Sequence, residues 1–140
     1  MYNLHTLFAA TQISMNPKIL VVEDNLVNQQ VISWLLKNMG HECDLVATGG
    51  ASLQAVAKHE YSLVFMDLNI PNLDGCSASK LLREAGYTMP IIAVTAEDEP
   101  QDWQRCSDAG MNGYLTKPFS MADFQDVLKR WLPSNSEVCS

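Results

Sequence analysis

The chain has 140 residues, a hydrophobic fraction of 47% and a formal net charge of -7. That length is enough for one domain with its own core, and that apolar content excludes a largely disordered chain. The acidic balance opposes a nucleic-acid surface, which presents a basic face.

Residues 1–17 lack periodicity, end in Asn16-Pro17 and read as a linker or extension. The compact domain is expected over residues 18–132, followed by a polar tail over 133–140. Ile19-Leu20-Val21-Val22 is a β-branched run that ends in Glu23-Asp24, as a buried strand with charge at its C-terminal end would. From Asn25 to about Met39 the pattern turns helical. At about 100° per residue, Val27, Val31, Ile32, Trp34, Leu35 and Met39 share a broad face predicted to turn inward. Leu26 falls on the polar side, exposed beside Glu23-Asp24, and Gly40 closes the helix. Asp44 to Ala47 is a shorter strand, placed at the sheet edge because it is the least apolar, and Gly49 to His59 is a helix.

Leu63-Val64-Phe65-Met66-Asp67 repeats the pattern of an apolar run delivering a single carboxylate. Pro71 and Asn72 stop that strand, and Asp74 is placed to N-cap a helix running to Glu84. Ile91 to Ala96 is a further buried run, carrying Thr95 near its end. The polar segment Glu97 to Gly110 reads as a weakly anchored helix whose clearest apolar residues are Trp103 and Cys106. Gly113-Tyr114-Leu115-Thr116 is a fifth strand, followed by Lys117-Pro118. The last helix, from Ser120 to Trp131, carries Ser120 and Asp123 as a capping pair. Cys43, Cys76, Cys106 and Cys139 form no CxxC motif, and nothing near the N-terminus resembles a secretory signal, so reduced, buried or incidental thiols of a cytosolic protein are expected. No stretch is apolar for long enough to span a bilayer.

Five strands alternating with five helices predict an α/β fold, a doubly wound, flavodoxin-like parallel sheet covered on both faces. Right-handed crossovers then bring every strand's C-terminal end to one edge. The carboxylates at 24 and 67 are 43 residues apart, and Thr95 and Lys117 follow at intervals of 28 and 22, which predicts the order 2-1-3-4-5. Glu23, Asp24, Asp67, Thr95 and Lys117 should therefore converge. Three carboxylates together repel and raise one another's pKa unless a cation joins them. Lys117 offers one positive charge, and an all-oxygen donor set suits Mg²⁺. With both present, Asp67 stays ionised and able to attack phosphorus, while Lys117 and Thr95 meet the phosphoryl oxygens.

These stretches, together with Ala109-Gly110-Met111 through Phe119, resemble the receiver domain of two-component response regulators over about residues 18–132. The resemblance implies that Asp67 is the phosphoacceptor, taking its phosphoryl group from a histidine of a kinase or phosphotransfer protein. It implies Mg²⁺ held by Glu23, Asp24, Asp67 and the backbone carbonyl of Asn69, a switch made of Thr95 and Tyr114, a catalytic Lys117, and a cis bond before Pro118. Asn69 and Glu97 occupy the positions that tune aspartyl-phosphate hydrolysis in the family, with the pairing of short-lived chemotaxis-type receivers. Asn25-Leu26-Val27-Asn28-Gln29 and Cys106 to Met111 resemble receivers attached to hybrid sensor kinases more than those joined to DNA-binding domains, which implies a histidine-containing phosphotransfer protein docking near Leu26.

Three rival readings each meet a feature of this chain that opposes them. A receiver that never accepts phosphate, serving only as an interaction module, would have no need of Glu23, Asp24, Asp67, Thr95 and Lys117 together. A haloacid-dehalogenase-like phosphatase needs a second carboxylate two residues after its nucleophile, where this chain has Asn69. A flavodoxin-like FMN carrier needs a Ser/Thr/Gly-rich phosphate loop where this chain has Glu23-Asp24.

Overall fold

The computed structural model describes residues 18–70, 72–96 and 103–132. Strands and helices alternate as β1 (Lys18–Val22), α1 (Leu26–Asn38), β2 (Glu42–Val46), α2 (Gly49–Lys58), β3 (Leu63–Asp67), α3 (Gly75–Glu84), β4 (Ile91–Thr95), α4 (Trp103–Asp108), β5 (Gly113–Thr116) and α5 (Met121–Trp131). β3 and β4 are buried along their whole length, as uninterrupted apolar strands must be when helices cover both faces. All strands pair in parallel in the order β2-β1-β3-β4-β5, the order predicted from the strand-end spacing.

The alternation of side chains along each strand divides the core into two layers. Ile19, Val21, Phe65 and Val94 face Ile32, Leu35 and Leu36 of α1 and Phe124 and Leu128 of α5. Leu20, Val22, Val64, Met66 and Ala93 face Val56 of α2, Ala78 and Leu82 of α3 and Cys106 of α4. Local signals set the helix ends. Asn25, Thr48, Asp74 and Ser120 each accept a backbone N–H at a helix N-terminus, and Ser120 with Asp123 forms a reciprocal capping box.

The structure corrects two expectations. In α1 the buried stripe is Ile32, Leu35 and Leu36, while Val27, Val31 and Trp34 are exposed. The helix carries two apolar stripes roughly 120° apart, and the sheet covers only one of them. The second correction concerns the thiols. Cys76 of α3 and Cys106 of α4 are buried, as expected, but are paired as a disulfide, with Cα atoms 5.2 Å apart. The two cysteines lie 30 residues apart, so no local motif marks the pair and only the packing of α3 beside α4 brings them together. Cys43 is free, and Cys139 lies outside the described residues.

Candidate functional site at the C-terminal edge of the sheet

Parallel pairing delivers the strand-end residues to one edge. Glu23 follows β1, Asp67 ends β3, Thr95 ends β4 and Lys117 follows β5. The register sets Val22 beside Met66 and Asp67 beside Val94, so Thr95 lies one residue beyond the phosphoacceptor candidate on the neighbouring strand. Backbone hydrogen bonds continue the ladder past the strand ends. The Lys117 N–H donates to Thr95 O at 2.7 Å, and the Glu23 N–H donates to Val46 O at 2.9 Å.

Glu23 is 1% exposed and Asp67 is 4% exposed, so this edge holds two charged groups that water does not solvate. Lys117 Nζ lies 3.1 Å from Glu23 Oε1 and 3.1 Å from Asp67 Oδ2, bridging the two carboxylates. Asp67 Oδ1 accepts the backbone N–H of Asn69 at 3.0 Å. Glu23 Oε2 accepts the Asn25 N–H at 3.1 Å, and Gln29 donates its side-chain amide to the Glu23 carbonyl. Burial pushes the Glu23 carboxyl above its usual range, the Asn25 N–H opposes this, and the neighbouring Asp67 charge adds to it. Burial alone would lower Lys117, but its hydrogen bond to Asp67 and the two carboxylate charges outweigh burial and raise it.

The acidic set fits a hard divalent cation. Carboxylate oxygens of Glu23, Asp24 and Asp67 lie within 4.8 Å of one another, Asp24 being the exposed member. Although ion-paired with Lys117, Glu23 Oε1 is buried and accepts no hydrogen bond, so it has lone pairs left for a further positive partner.

The remaining predicted residues fall around this centre. Thr95 is buried, whereas Tyr114 of β5 is partly exposed, its ring centroid 5.3 Å from that of Trp103 in α4. The Lys117–Pro118 bond is cis. Leu26 is exposed two residues after Asp24, and Glu97 lies outside the described residues. Sequence reasoning missed the supports. Gly75 passes so close to β3 that a Cβ there would lie 2.5 Å from Asp67 O, which only glycine allows. Asn25 and Gln29 grip Glu23, and Asp74, which caps α3, also pairs with Arg105 of α4 at 3.1 Å. The position of Asp74 just ahead of a helical pattern marked the cap, but nothing local marked its distant partner.

A five-stranded 2-1-3-4-5 sheet with an acidic, lysine-bridged cluster at its C-terminal edge is the architecture of a phosphoacceptor signalling domain of the flavodoxin-like type. The model of the response regulator receiver domain matches residues 19–129, and this chain belongs to that family. It is similar to the osmosensing histidine protein kinase SLN1 of Saccharomyces cerevisiae, 38% identical over 118 residues that cover 79% of this chain and 10% of the kinase. The chain spans between 7% and 20% of the length of the curated relatives it matches. Among solved structures, the receiver domain of sensor histidine kinase PA1611 from Pseudomonas aeruginosa PAO1, with magnesium coordinated in its active site cleft, is 43% identical with a TM-score of 0.77, covering 85% of this chain and 99% of that one. The receiver domain of Ssk1 from Saccharomyces cerevisiae, crystallised with the histidine phosphotransfer protein Ypd1, is 26% identical with a TM-score of 0.77, covering 83% of this chain and 88% of that one.

Proposed function

We propose that Asp67 accepts the phosphoryl group in this receiver, with Mg²⁺ held by Glu23, Asp24, Asp67 and the backbone carbonyl of Asn69. The observation that carries the reading is Asp67 itself, a carboxylate buried at the end of β3, held by Lys117 and the Asn69 N–H, beside an acidic pair with acceptor capacity to spare. An oxygen of Asp67 attacks the phosphorus of a phosphohistidine in line. The P–N bond breaks as the O–P bond forms, and the leaving imidazole recovers its nitrogen lone pair. Bound Mg²⁺ would supply charge that steadies the phosphoryl oxygens. Lys117 holds Asp67 in place before transfer and offers Nζ to the transferred group afterwards, and Thr95 offers its hydroxyl at the adjoining strand end. Engagement of Thr95 and inward movement of Tyr114 then carry the change to the surface, a shift between two populated states.

The donor is a histidine kinase or a histidine-containing phosphotransfer protein, docking on the exposed stripe of α1. Leu26 is 72% exposed and Trp34 is 61% exposed, with Val27 and Val31 between them, next to the acidic edge. An apolar patch on one helix beside a phosphoacceptor suits a partner helix carrying phosphohistidine. The Ssk1 receiver crystallised with Ypd1 supports this partner class. Membership of a hybrid kinase and a cytoplasmic location belong to the same reading, and no helix among the described residues is long and apolar enough to cross a membrane.

The test is incubation with acetyl phosphate and Mg²⁺. A mass gain of one phosphoryl group, lost on chelation of the metal and absent in Asp67→Ala, is expected. No gain in the wild type overturns the reading in favour of a phosphorylation-independent interaction module. Asn69 and Glu97 predict rapid hydrolysis, so an aspartyl phosphate lasting hours in the isolated chain with Mg²⁺ contradicts the lifetime assigned to that pairing.

A further inference from the structure

Among the described residues α4 runs over Trp103–Asp108, and Cys106 is the fully buried one of these. Cys106 is bonded to Cys76 in the first turn of α3, while the partly buried Trp103 and the Arg105–Asp74 pair give α4 its other contacts. The Cys76–Cys106 Cα separation of 5.2 Å lies inside the range of about 4.4–6.8 Å that disulfides require, so this packing of α3 beside α4 suits the bond. The α3 end is firmly seated. Gly75 is pressed against the Asp67 carbonyl, and Asp74 caps the helix through the Ser77 N–H at 2.9 Å. The α4 end reaches the opposite side of the signalling route, because Trp103, three residues before Cys106, packs on Tyr114. Asp67, Gly75, Cys76, Cys106, Trp103 and Tyr114 thus form one physically continuous chain of bonds and contacts from phosphoacceptor to switch aromatic.

We propose that Cys76 and Cys106 are a redox-controlled tether on the switch. As a disulfide the pair fixes α4 to α3 and holds Tyr114 outward against Trp103, so that phosphorylation at Asp67 is poorly transmitted; as a dithiol it frees α4 to move. The inference rests on the reading of Asp67 as phosphoacceptor and Tyr114 as switch. The oxidant class is a low-molecular-weight disulfide, RSSR. The thiolate of one cysteine attacks RSSR and expels one RS⁻, giving a mixed disulfide, and the second thiolate displaces the other RS⁻. The protein loses two electrons and two thiol protons, and RSSR becomes two RSH. Access to the buried sulfurs comes through local opening of α4, where Cys106 is the fully buried residue among those described.

The experiment uses the full chain in two preparations, one oxidised with glutathione disulfide and mapped by non-reducing peptide mass spectrometry, one fully reduced. Without any phosphoryl analogue, amide exchange over residues 103–111 should be slower in the oxidised form. With beryllofluoride and Mg²⁺, binding should be at least about fivefold weaker in the oxidised form, the low end of an allosteric coupling. The shift of the Trp103 indole N–H resonance should shrink in parallel. By reciprocity, beryllofluoride should make the disulfide easier to reduce by the same factor. Cys76→Ala and Cys106→Ala should each abolish the redox difference, whereas Cys43→Ser should keep it. Equal exchange over residues 103–111 in the two preparations, or failure of the Cys76–Cys106 bond to form, overturns the tether. Slower exchange without beryllofluoride binding in either form would support the tether and remove the phosphoacceptor reading, so the two failures are distinct.

Discussion

At Glu23 a carboxylate is kept where ionisation is disfavoured, since burial and the Asp67 charge raise its pKa in the metal-free chain. A group whose folded pKa is raised binds more protons folded than unfolded between the two values. Its favourable contribution is therefore present below the unfolded pKa and lost as pH rises through the folded pKa. The metal-free chain should lose stability on this account as pH climbs above the ordinary glutamate range, and Mg²⁺ should restore it. Glu23→Gln is expected to raise the thermal midpoint of the metal-free chain at neutral pH while weakening Mg²⁺ binding at least about tenfold. Thermal melts with and without Mg²⁺ check both; a lower midpoint without metal would show that the Lys117 ion pair outweighs the burial penalty. Glu23, Asp24, Asp67, Thr95 and Lys117 were legible in the sequence because each sits at or just beyond the end of an apolar run, and parallel topology brings such ends together. Gln29 and Gly75 were not, since one reaches back across a loop and the other matters for a side chain it lacks.

Among the elements, α1 separates folding from recognition most clearly. Ile32, Leu35 and Leu36 serve the core, and Leu26, Val27, Val31 and Trp34 remain on the surface. Trp34→Ala should leave folding stability within about 0.5 kcal/mol of wild type, as for an exposed side chain. The same change should weaken the complex with a histidine-containing phosphotransfer protein by about thirtyfold, the effect of losing an aromatic hot spot worth about 2 kcal/mol. Calorimetric titration against the partner checks it, and unchanged affinity would remove α1 from the interface. Periodicity read the helix correctly but its phase wrongly: with apolar residues over so wide an arc, only the sheet decides which stripe is covered. α4 shows the complementary case, a helix too polar to anchor by its own pattern and tied instead by Cys106 and by Arg105 to α3.

For the whole molecule, the sheet is stable only with both layers in place. Phe124 of α5 closes one layer, with ring centroids 5.1 Å from Phe65 of β3 and 4.7 Å from Phe119. Phe124→Ala should cost about 3–5 kcal/mol, the usual range for emptying a buried aromatic site. Denaturant unfolding measures it, and a loss below about 1 kcal/mol would mean that α5 collapses into the gap. What the sequence determined by itself was the alternation of strands and helices, the strand order and the convergence of the acidic and lysine residues, because buried parallel strands declare themselves as apolar runs and right-handed crossovers leave one edge for their ends. Tertiary structure alone decided which stripe of α1 meets the sheet, that Cys76 meets Cys106, that Trp103 meets Tyr114 and that Gly75 abuts Asp67. Those contacts join residues eight or more apart in the chain, and no local pattern records which surfaces will face each other once the layers close.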